Sequence, residues 1–361
     1  MIKVGSSLLL EEERLNIPFM EELIDSVVQL IKDKRQTVLV SSGAIALGGK
    51  QLESTASFSN LKAIPSKQAL ASIGQTQLMN LYYEFFKKYS LNVGQILLSA
   101  IDFSHRSTYL NARNTILTLL SIGCIPIVNE NDTVAVEEIK FGDNDTLSAL
   151  VAGLIDADLL IILSDIDGLY TSDPKKDPQA ELLPWVYRID EKVEKMAGGT
   201  RVEGRVGGMQ TKIEAAKAAT RSGIPVVIGG GRGFLKALFA GEEVGTVFVP
   251  TQDKLQARKK WIAYGSRIKG KIVVDEGAKE ALIQQGKSLL PVGIRKILDN
   301  FQSGDTVSLL DLKGREFARG IVYYSSQELK KIKGLHTQQI EEKLGYKYYD
   351  EVIHRDNLVL L

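Results

Sequence analysis

From Pro18 to Lys34 apolar residues return every three or four positions, at Met20, Leu23, Ile24, Val27, Val28 and Ile31. That spacing predicts an amphipathic helix with one buried face. Thr37–Val40 follows as a short β-branched strand that breaks into Ser41, Ser42, Gly43 and Ala44. Gln68–Tyr89 and Arg106–Ile122 read as helices on either side of a strand at Val93–Ser99. A fourth helix starts at Asp145, with Leu147, Leu150, Val151 and Leu154 at helical spacing, and a fifth runs from Met209 to Ser222. Leu159–Leu163 and Ile224–Ile228 are near-continuous apolar runs, the pattern of strands buried on both faces. Strands alternating with helices in this way predict an α/β fold with a mainly parallel sheet covered by helices.

The character changes around Pro250–Lys260, where Gln252 to Lys260 is polar and basic. Beyond it the apolar runs are shorter and punctuated by glycine, at Gly270–Val274, Thr306–Asp311 and Phe317–Tyr324, so a small β-rich module is expected. The 361 residues suffice for two or three domains, and formal net charge is only +1. Residues 1–250 carry 25 basic against 30 acidic side chains, and residues 251–361 carry 20 against 14. The one cysteine, Cys124, lies in the apolar run Ile122–Val128 and is expected to be a buried small hydrophobe. With no disulfide framework, membrane span or signal peptide to read, a cytoplasmic setting is the expectation.

Polar chemistry gathers at the ends of the predicted strands, where open α/β sheets bind ligands. Asn129, Glu130, Asn131 and Asp132 close the strand that ends at Val128, and Asp143, Asn144 and Asp145 follow within about twenty residues. One Asp or Asn at a helix start is ordinary capping. Two such clusters at element ends are harder to explain by capping alone, and they are read as a substrate platform. Ser164 and Asp165 end another strand. Lys3 precedes a Gly5-Ser6-Ser7 turn and, taken alone, reads as a solvated charge. The glycine-rich stretch Met196–Gly208 feeds a helix whose first turn holds Thr211 and Lys212. Its spacing fits a phosphate cradle and a flexible linker with a surface lysine equally well.

Near-matches to other motifs fail. Gly265–Lys271 has P-loop spacing but is followed by Ile272, and Gly286-Lys287-Ser288 has Ala281 where the first glycine belongs. His354-Arg355-Asp356 lacks a following DFG. His105, His336 and His354 show no metal-ligand spacing.

The ordered set VSSGAIALG (Val40–Gly48), SKQALASIGQ (Ser66–Gln75), YLNARNT (Tyr109–Thr115), VNEND (Val128–Asp132) and GDNDTLSAL (Gly142–Leu150) closely resembles the bacterial glutamate 5-kinases. GLYTSDP (Gly168–Pro174), VDEGA (Val274–Ala278) and SLLPVGI (Ser288–Ile294) extend the likeness over nearly the whole chain. These enzymes belong to the amino-acid kinase superfamily, in the form that carries a C-terminal PUA domain. The resemblance implies an amino-acid-kinase-type sandwich over residues 1–251 and a PUA-like domain over 261–361. It also implies ATP-dependent phosphorylation of the γ-carboxylate of L-glutamate, the first step of proline synthesis, with ATP and Mg2+ as cofactors. Proline as inhibitor and assembly as a homo-oligomer are further expectations.

Carried over by motif, glutamate is expected at Ser42, Asp132 and Asn144, with Asp143 and Asn129 close by. ATP is expected at Ser164 and Asp165 and along Val206, Gly207, Gly208, Met209, Gln210, Thr211 and Lys212. Lys3 and Lys212 would flank the transferred phosphoryl group as catalytic residues. The resemblance names no Mg2+ ligand. Two departures stand out: only Met1 and Ile2 precede Lys3, and Arg205-Val206 stands where the family's loop reads GT before GGM. PUA domains bind RNA in other proteins, which the basic excess permits. Aspartate, acetylglutamate, carbamate and UMP kinases are the alternatives within the fold, and an RNA-binding protein with an inactive kinase body is the alternative from another class.

Overall fold

The computed structural model describes residues 1–11, 14–53, 63–104, 106–134, 144–198, 208–250, 262 and 268–361. Asp143, Arg205, Val206 and Gly207 and the polar stretch 252–260 lie outside the described residues. The chain divides into two compact units, Met1–Ser104 with Asn111–Thr251, and His105–Leu110 with Gln252–Leu361.

In chain order, the elements that matter here, all in the first unit except residues 106–110 of α4, are β1 (Ile2–Val4), α1 (Ile17–Lys32), β2 (Leu39–Ser41), α2 (Ala44–Glu53), α3 (Ile64–Lys87), β3 (Val93–Leu98), α4 (Arg106–Ser121) and β4 (Ile125–Glu130). They continue with α5 (Asn144–Leu154), β5 (Leu160–Ser164), β6 (Trp185–Val186), α6 (Met209–Arg221), β7 (Val226–Gly230), α7 (Phe234–Ala240) and β8 (Thr246–Phe248). Helix α1 starts where Asn16 accepts a 3.1 Å hydrogen bond from the Phe19 amide, with Pro18 in the first turn. It ends two residues earlier than its apolar spacing predicts, because Lys34 takes a left-handed conformation (φ 60°) that turns the chain toward β2. Strand β2 is displaced toward its C-terminus relative to the predicted Thr37–Val40, since Ser41 pairs in register with Val4 of β1. That pairing is non-local and leaves no trace in the local pattern.

Among the described residues the strands form an eight-stranded sheet in the order β3-β4-β2-β1-β5-β7-β8-β6. Neighbours run parallel except β7 and β8. The α/β architecture is therefore as the helix–strand alternation predicts. Strand β1 has only three residues yet lies inside the sheet, paired on both sides, with Lys3 opposite Val40 and Ile162. Strand β5 shows why its sequence is apolar throughout. Ile161 and Leu163 join the core under α1 and α3, while Leu160 and Ile162 join the core under α5 and α6. Alternate side chains thus serve two layers of helix. Cys124 is half-buried rather than buried. It follows a left-handed Gly123 at the exit from α4, where the chain has only begun to enter the sheet. No helix among the described residues is long and apolar enough to cross a membrane.

Helices α2 and α3 touch backbone to backbone through two glycines. A Cβ on Gly48 would stand 1.9 Å from the Leu70 carbonyl oxygen, and one on Gly74 would stand 1.8 Å from that of Ala44. This contact holds α2, and the turn before it, against α3.

The second unit carries its own core around β9 (Ile268–Val274), β10 (Ile294–Leu298), β11 (Thr306–Leu310), β12 (Glu316–Ile321) and β13 (Leu358–Leu360). These form a five-stranded sheet in the order β10-β9-β11-β12-β13, with only β9 and β11 parallel. Ile272, Val274, Phe301, Leu309 and Tyr324 are shut from solvent within it. Asp311 anchors the turn after β11. It accepts from the backbone amide of Arg315 and from the side chains of Lys279 and Arg315, which together hold its carboxyl well below the usual carboxylate range.

The glycine contact gives a test of the packing. Gly74→Ala forces α2 and α3 apart and is expected to destabilise the first unit by about 1–3 kcal/mol, the usual cost of overpacking. Urea denaturation followed by circular dichroism reads this directly, and a midpoint equal to that of the unmodified protein would contradict the contact.

Candidate active site

Five of the six segments that build the site sit at the carboxyl ends of parallel strands or at the helix starts that follow them. Lys3 projects from β1, Ser42 and Gly43 follow β2, Asn129 and Glu130 end β4, Asn144 and Asp145 open α5, and Ser164 and Asp165 close β5. The sixth segment is the start of α6, with Gly208, Thr211 and Lys212. Gly43 has φ of 105°, which a side chain would oppose, and it turns the chain from β2 into α2. These segments surround a cavity of about 790 Å3. Lys3, Ser42, Asn129, Asp132, Asn144, Ser164, Asp165, Gly208, Met209 and Lys212 all line it. Gln210 and Thr211 do not line it.

The centre of the site is Asp145, whose side chain is 0 % exposed. Its Oδ1 lies 2.5 Å from Lys3 Nζ, and its Oδ2 lies 3.2 Å from Lys212 Nζ. The Thr211 hydroxyl donates to the same Oδ2 at 2.9 Å, and Lys212 Nζ also donates to the Gly208 carbonyl at 3.4 Å. Both lysines are themselves buried, at 3 % and 8 % exposure. Burying a charge costs several kcal/mol unless it is paired and hydrogen-bonded. One carboxylate therefore holds two ammonium groups at the wall of one cavity. The sequence places Asp145 in the polar cluster read as a substrate platform but assigns it no role of its own. Its signal was its place in GDND, one residue beyond Asn144, yet only the fold shows that Lys3 and Lys212 converge on it.

A chain of amides forms the other wall. Asn144 Nδ2 donates to Ser42 Oγ at 2.9 Å, to the Ser41 carbonyl at 3.2 Å and to Asn129 Oδ1 at 2.9 Å. Asn129 Oδ1 also accepts from the Glu130 amide at 2.8 Å, and Asn129 Nδ2 donates to Gln75 Oε1 at 2.8 Å. Behind Ser42, Tyr82 donates to Ser41 Oγ at 2.9 Å, and burial pushes its phenol up to about 12, so it stays protonated and remains a donor at neutral pH. Ser164 Oγ donates to Asp165 Oδ1 at 3.2 Å. Asp132 sits half-buried in the turn after β4. Of the residues predicted from the motifs, Asp143, Val206 and Gly207 lie outside the described residues. Gln75 was missed as a member of the site, because it belongs to α3, far from any strand end. Among the described residues no group of three or more His, Cys, Asp or Glu side chains is placed to hold a metal ion.

Comparison with known proteins shows the family to which the chain belongs. The sequence profile of the amino acid kinase family matches residues 1–230, and that of the PUA domain matches residues 270–344. A glutamate 5-kinase from Caldanaerobacter subterraneus is 49 % identical over 364 aligned positions, covering 100 % of this chain and 97 % of its own. One from Syntrophotalea carbinolica is 49 % identical, covering 100 % of this chain and 96 % of its own. Among solved structures, the carbamate kinase from Giardia lamblia bound to AMP-PNP superposes with a TM-score of 0.51 at 16 % identity, over 69 % of this chain and 96 % of that one, a likeness of fold alone. With its first unit matched by the family profile and its whole length aligned to such relatives, the chain belongs to the amino acid kinase family, and within it to the glutamate 5-kinases.

Proposed function

We propose that the protein transfers the γ-phosphoryl group of ATP to the side-chain carboxylate of L-glutamate, giving L-glutamyl 5-phosphate, the first step of proline synthesis. The observation that carries this reading is the pair of buried lysines, Lys3 and Lys212, on the two oxygens of Asp145 at one wall of the cavity. The relatives support the choice of acceptor, since those quoted are glutamate 5-kinases along their whole length.

Phosphoryl transfer asks a protein for positioning and for stabilisation of spreading negative charge. A carboxylate acceptor is already ionised at neutral pH, so no general base is needed. Lys3 and Lys212 stabilise charge on the transferring group, and Asp145 holds both ammonium ends where that charge develops. Asp145 is thus a positioning residue. ATP lies along Ser164, Asp165 and Gly208–Lys212, with its phosphates toward the α6 N-terminus. Glutamate lies against Ser42, Asn129 and Asn144, with Asp132 and Asn144 at its ammonium group, where acceptors are required. Mg2+ takes one or two protein carboxylates and completes its shell with phosphate oxygens and water. Asp165, an exposed carboxylate in the cavity, suits that part. The ion would offset phosphate charge. Proline is read as the feedback inhibitor, and residues 261–361 as a separate PUA-like domain.

A coupled assay of ATP consumption across glutamate, aspartate, N-acetylglutamate, carbamate and UMP tests the assignment. Turnover is expected with glutamate, and turnover confined to another acceptor would reject it. The two walls are separable by kinetics. Lys212→Ala is expected to lower kcat by about 100-fold or more while changing glutamate affinity little, because its charge acts on the transferring group. Asn144→Ala is expected chiefly to raise KM for glutamate. Losses confined to glutamate affinity in both variants would move Lys212 off the phosphate side.

Asp145→Asn keeps the side-chain shape but removes the charge that gathers the lysines. Its kcat is expected to fall by about 100-fold or more, with Lys3 and Lys212 both present. A folded Asp145→Asn protein with unchanged kcat would show that the carboxylate has no part in positioning.

A further inference from the structure

The amide chain beside Ser42 has a direction, and backbone groups set it. The Glu130 amide can only donate, so Asn129 must turn its Oδ1 toward it, at 2.8 Å. The Ser41 carbonyl can only accept, so Asn144 must turn its Nδ2 toward that, at 3.2 Å. Asn129 Nδ2 then points to Gln75, which must answer with Oε1, at 2.8 Å. Two polar atoms are left over, one at each end. Among the described residues, Gln75 Nε2 and Asn144 Oδ1 are buried and have no hydrogen-bond partner, and each residue is only 9 % exposed. Leaving such a group unmet is costly, and natural proteins leave few of them. One end is a lone donor and the other a lone acceptor.

The residues at the two ends line neighbouring cavities. Asn144 lines the large one described above, and Gln75 lines a second, of about 200 Å3. Ala44, Glu130 and Asp132 line both, so one small molecule can reach into the two. Around Gln75 the second cavity is lined by Ser72, Thr76 and Gln95, all neutral side chains able to donate. Glu130 and Asp132 lie on the side shared with the large cavity.

We infer that Gln75 is a specificity-determining residue, whose Nε2 binds the α-carboxylate of the amino-acid substrate while Asn144 Oδ1 accepts from its α-ammonium group. This rests on the glutamate reading above and adds to it the part of the substrate that does not react. A donor is of use only to an acceptor, and an acceptor only to a donor, so the polarised chain distinguishes the two groups on one α-carbon. Gln75 Oε1 at the same time holds Asn129, and through it Asn144, in the required orientation.

The test compares glutamate with 4-aminobutanoate, which keeps the reacting carboxylate and the ammonium group but lacks the α-carboxylate. Binding to the full-length protein is measured by calorimetry, and KM and kcat by the coupled assay. The unmodified protein is expected to bind 4-aminobutanoate at least about tenfold more weakly than glutamate, from the loss of a hydrogen bond to a charged group. Equal binding would overturn the inference with no variant needed. Gln75→Glu keeps an oxygen for Asn129 but sets an anion against the α-carboxylate. It is expected to raise Kd and KM for glutamate by about 10- to 100-fold, to leave kcat and the KM for ATP alone, and not to weaken 4-aminobutanoate. Gln75→Leu removes the donor and also the oxygen that holds Asn129, so it is expected to weaken both ligands, and glutamate by several-fold more than 4-aminobutanoate. Near-normal glutamate binding in Gln75→Glu, or equal losses for both ligands in the variants, would mean that Gln75 serves only the fold. Absence of glutamate turnover in the unmodified protein would overturn the function proposed above and this inference with it. Normal turnover with an unselective Gln75 would overturn this inference alone.

Discussion

One buried carboxylate makes the site a unit. Asp145 opens α5 with no solvent contact, and it can be there only because Lys3, Lys212 and the Thr211 hydroxyl come to it. Those groups belong to the first strand and to a helix 67 residues downstream of the aspartate. Remove Asp145 and two buried ammonium groups lose the carboxylate that pairs with both of them. The same pairing keeps two flexible lysine side chains in single positions beside the cavity. Stability and chemistry therefore draw on one interaction.

Everything else in the first unit serves to bring strand ends to that point. β1, paired on both sides, aims Lys3 at the carboxyl edge of the sheet, and β4 and β5 deliver Asn129 and Ser164 to the same edge. Backbone contact fixes the spacing where side chains would prevent it. A Cβ on Gly230 would lie 1.7 Å from the Ser164 carbonyl oxygen, so β7 closes on the end of β5 only with glycine there. Gly48 and Gly74 do the same for α2 and α3, and the second of these sits one residue before Gln75. The amide that completes the polar wall is thus carried by the helix turn whose position the glycine contact sets.

The second unit is organised on other terms. Its sheet is largely antiparallel, its core is its own, and a polar cluster at Asp311 ties a turn to neighbouring side chains. Among the described residues, every side chain assigned to nucleotide or amino acid lies in the first unit.

Local pattern was enough to read the α/β alternation, the amphipathic face of α1 and the doubly buried β5, because periodicity and burial are properties of short stretches. It was enough to place Ser42, Asn129, Asn144 and Ser164 at element ends, since turns and caps have their own residue chemistry. Motif order added the expected roles of Lys3 and Lys212. Three things lay beyond it. The place of β1 inside the sheet, and the extension of β2 to Ser41, come from pairing between distant strands. The importance of Asp145 comes from two lysines reaching it across the fold, where the sequence offers only its place in a polar cluster at a helix start. Gln75 had no local signal at all, being one glutamine on a long helix. Its meaning arises only when α3 is laid against the end of β4, because burial and hydrogen-bond direction are decided by what surrounds a side chain and not by what precedes it.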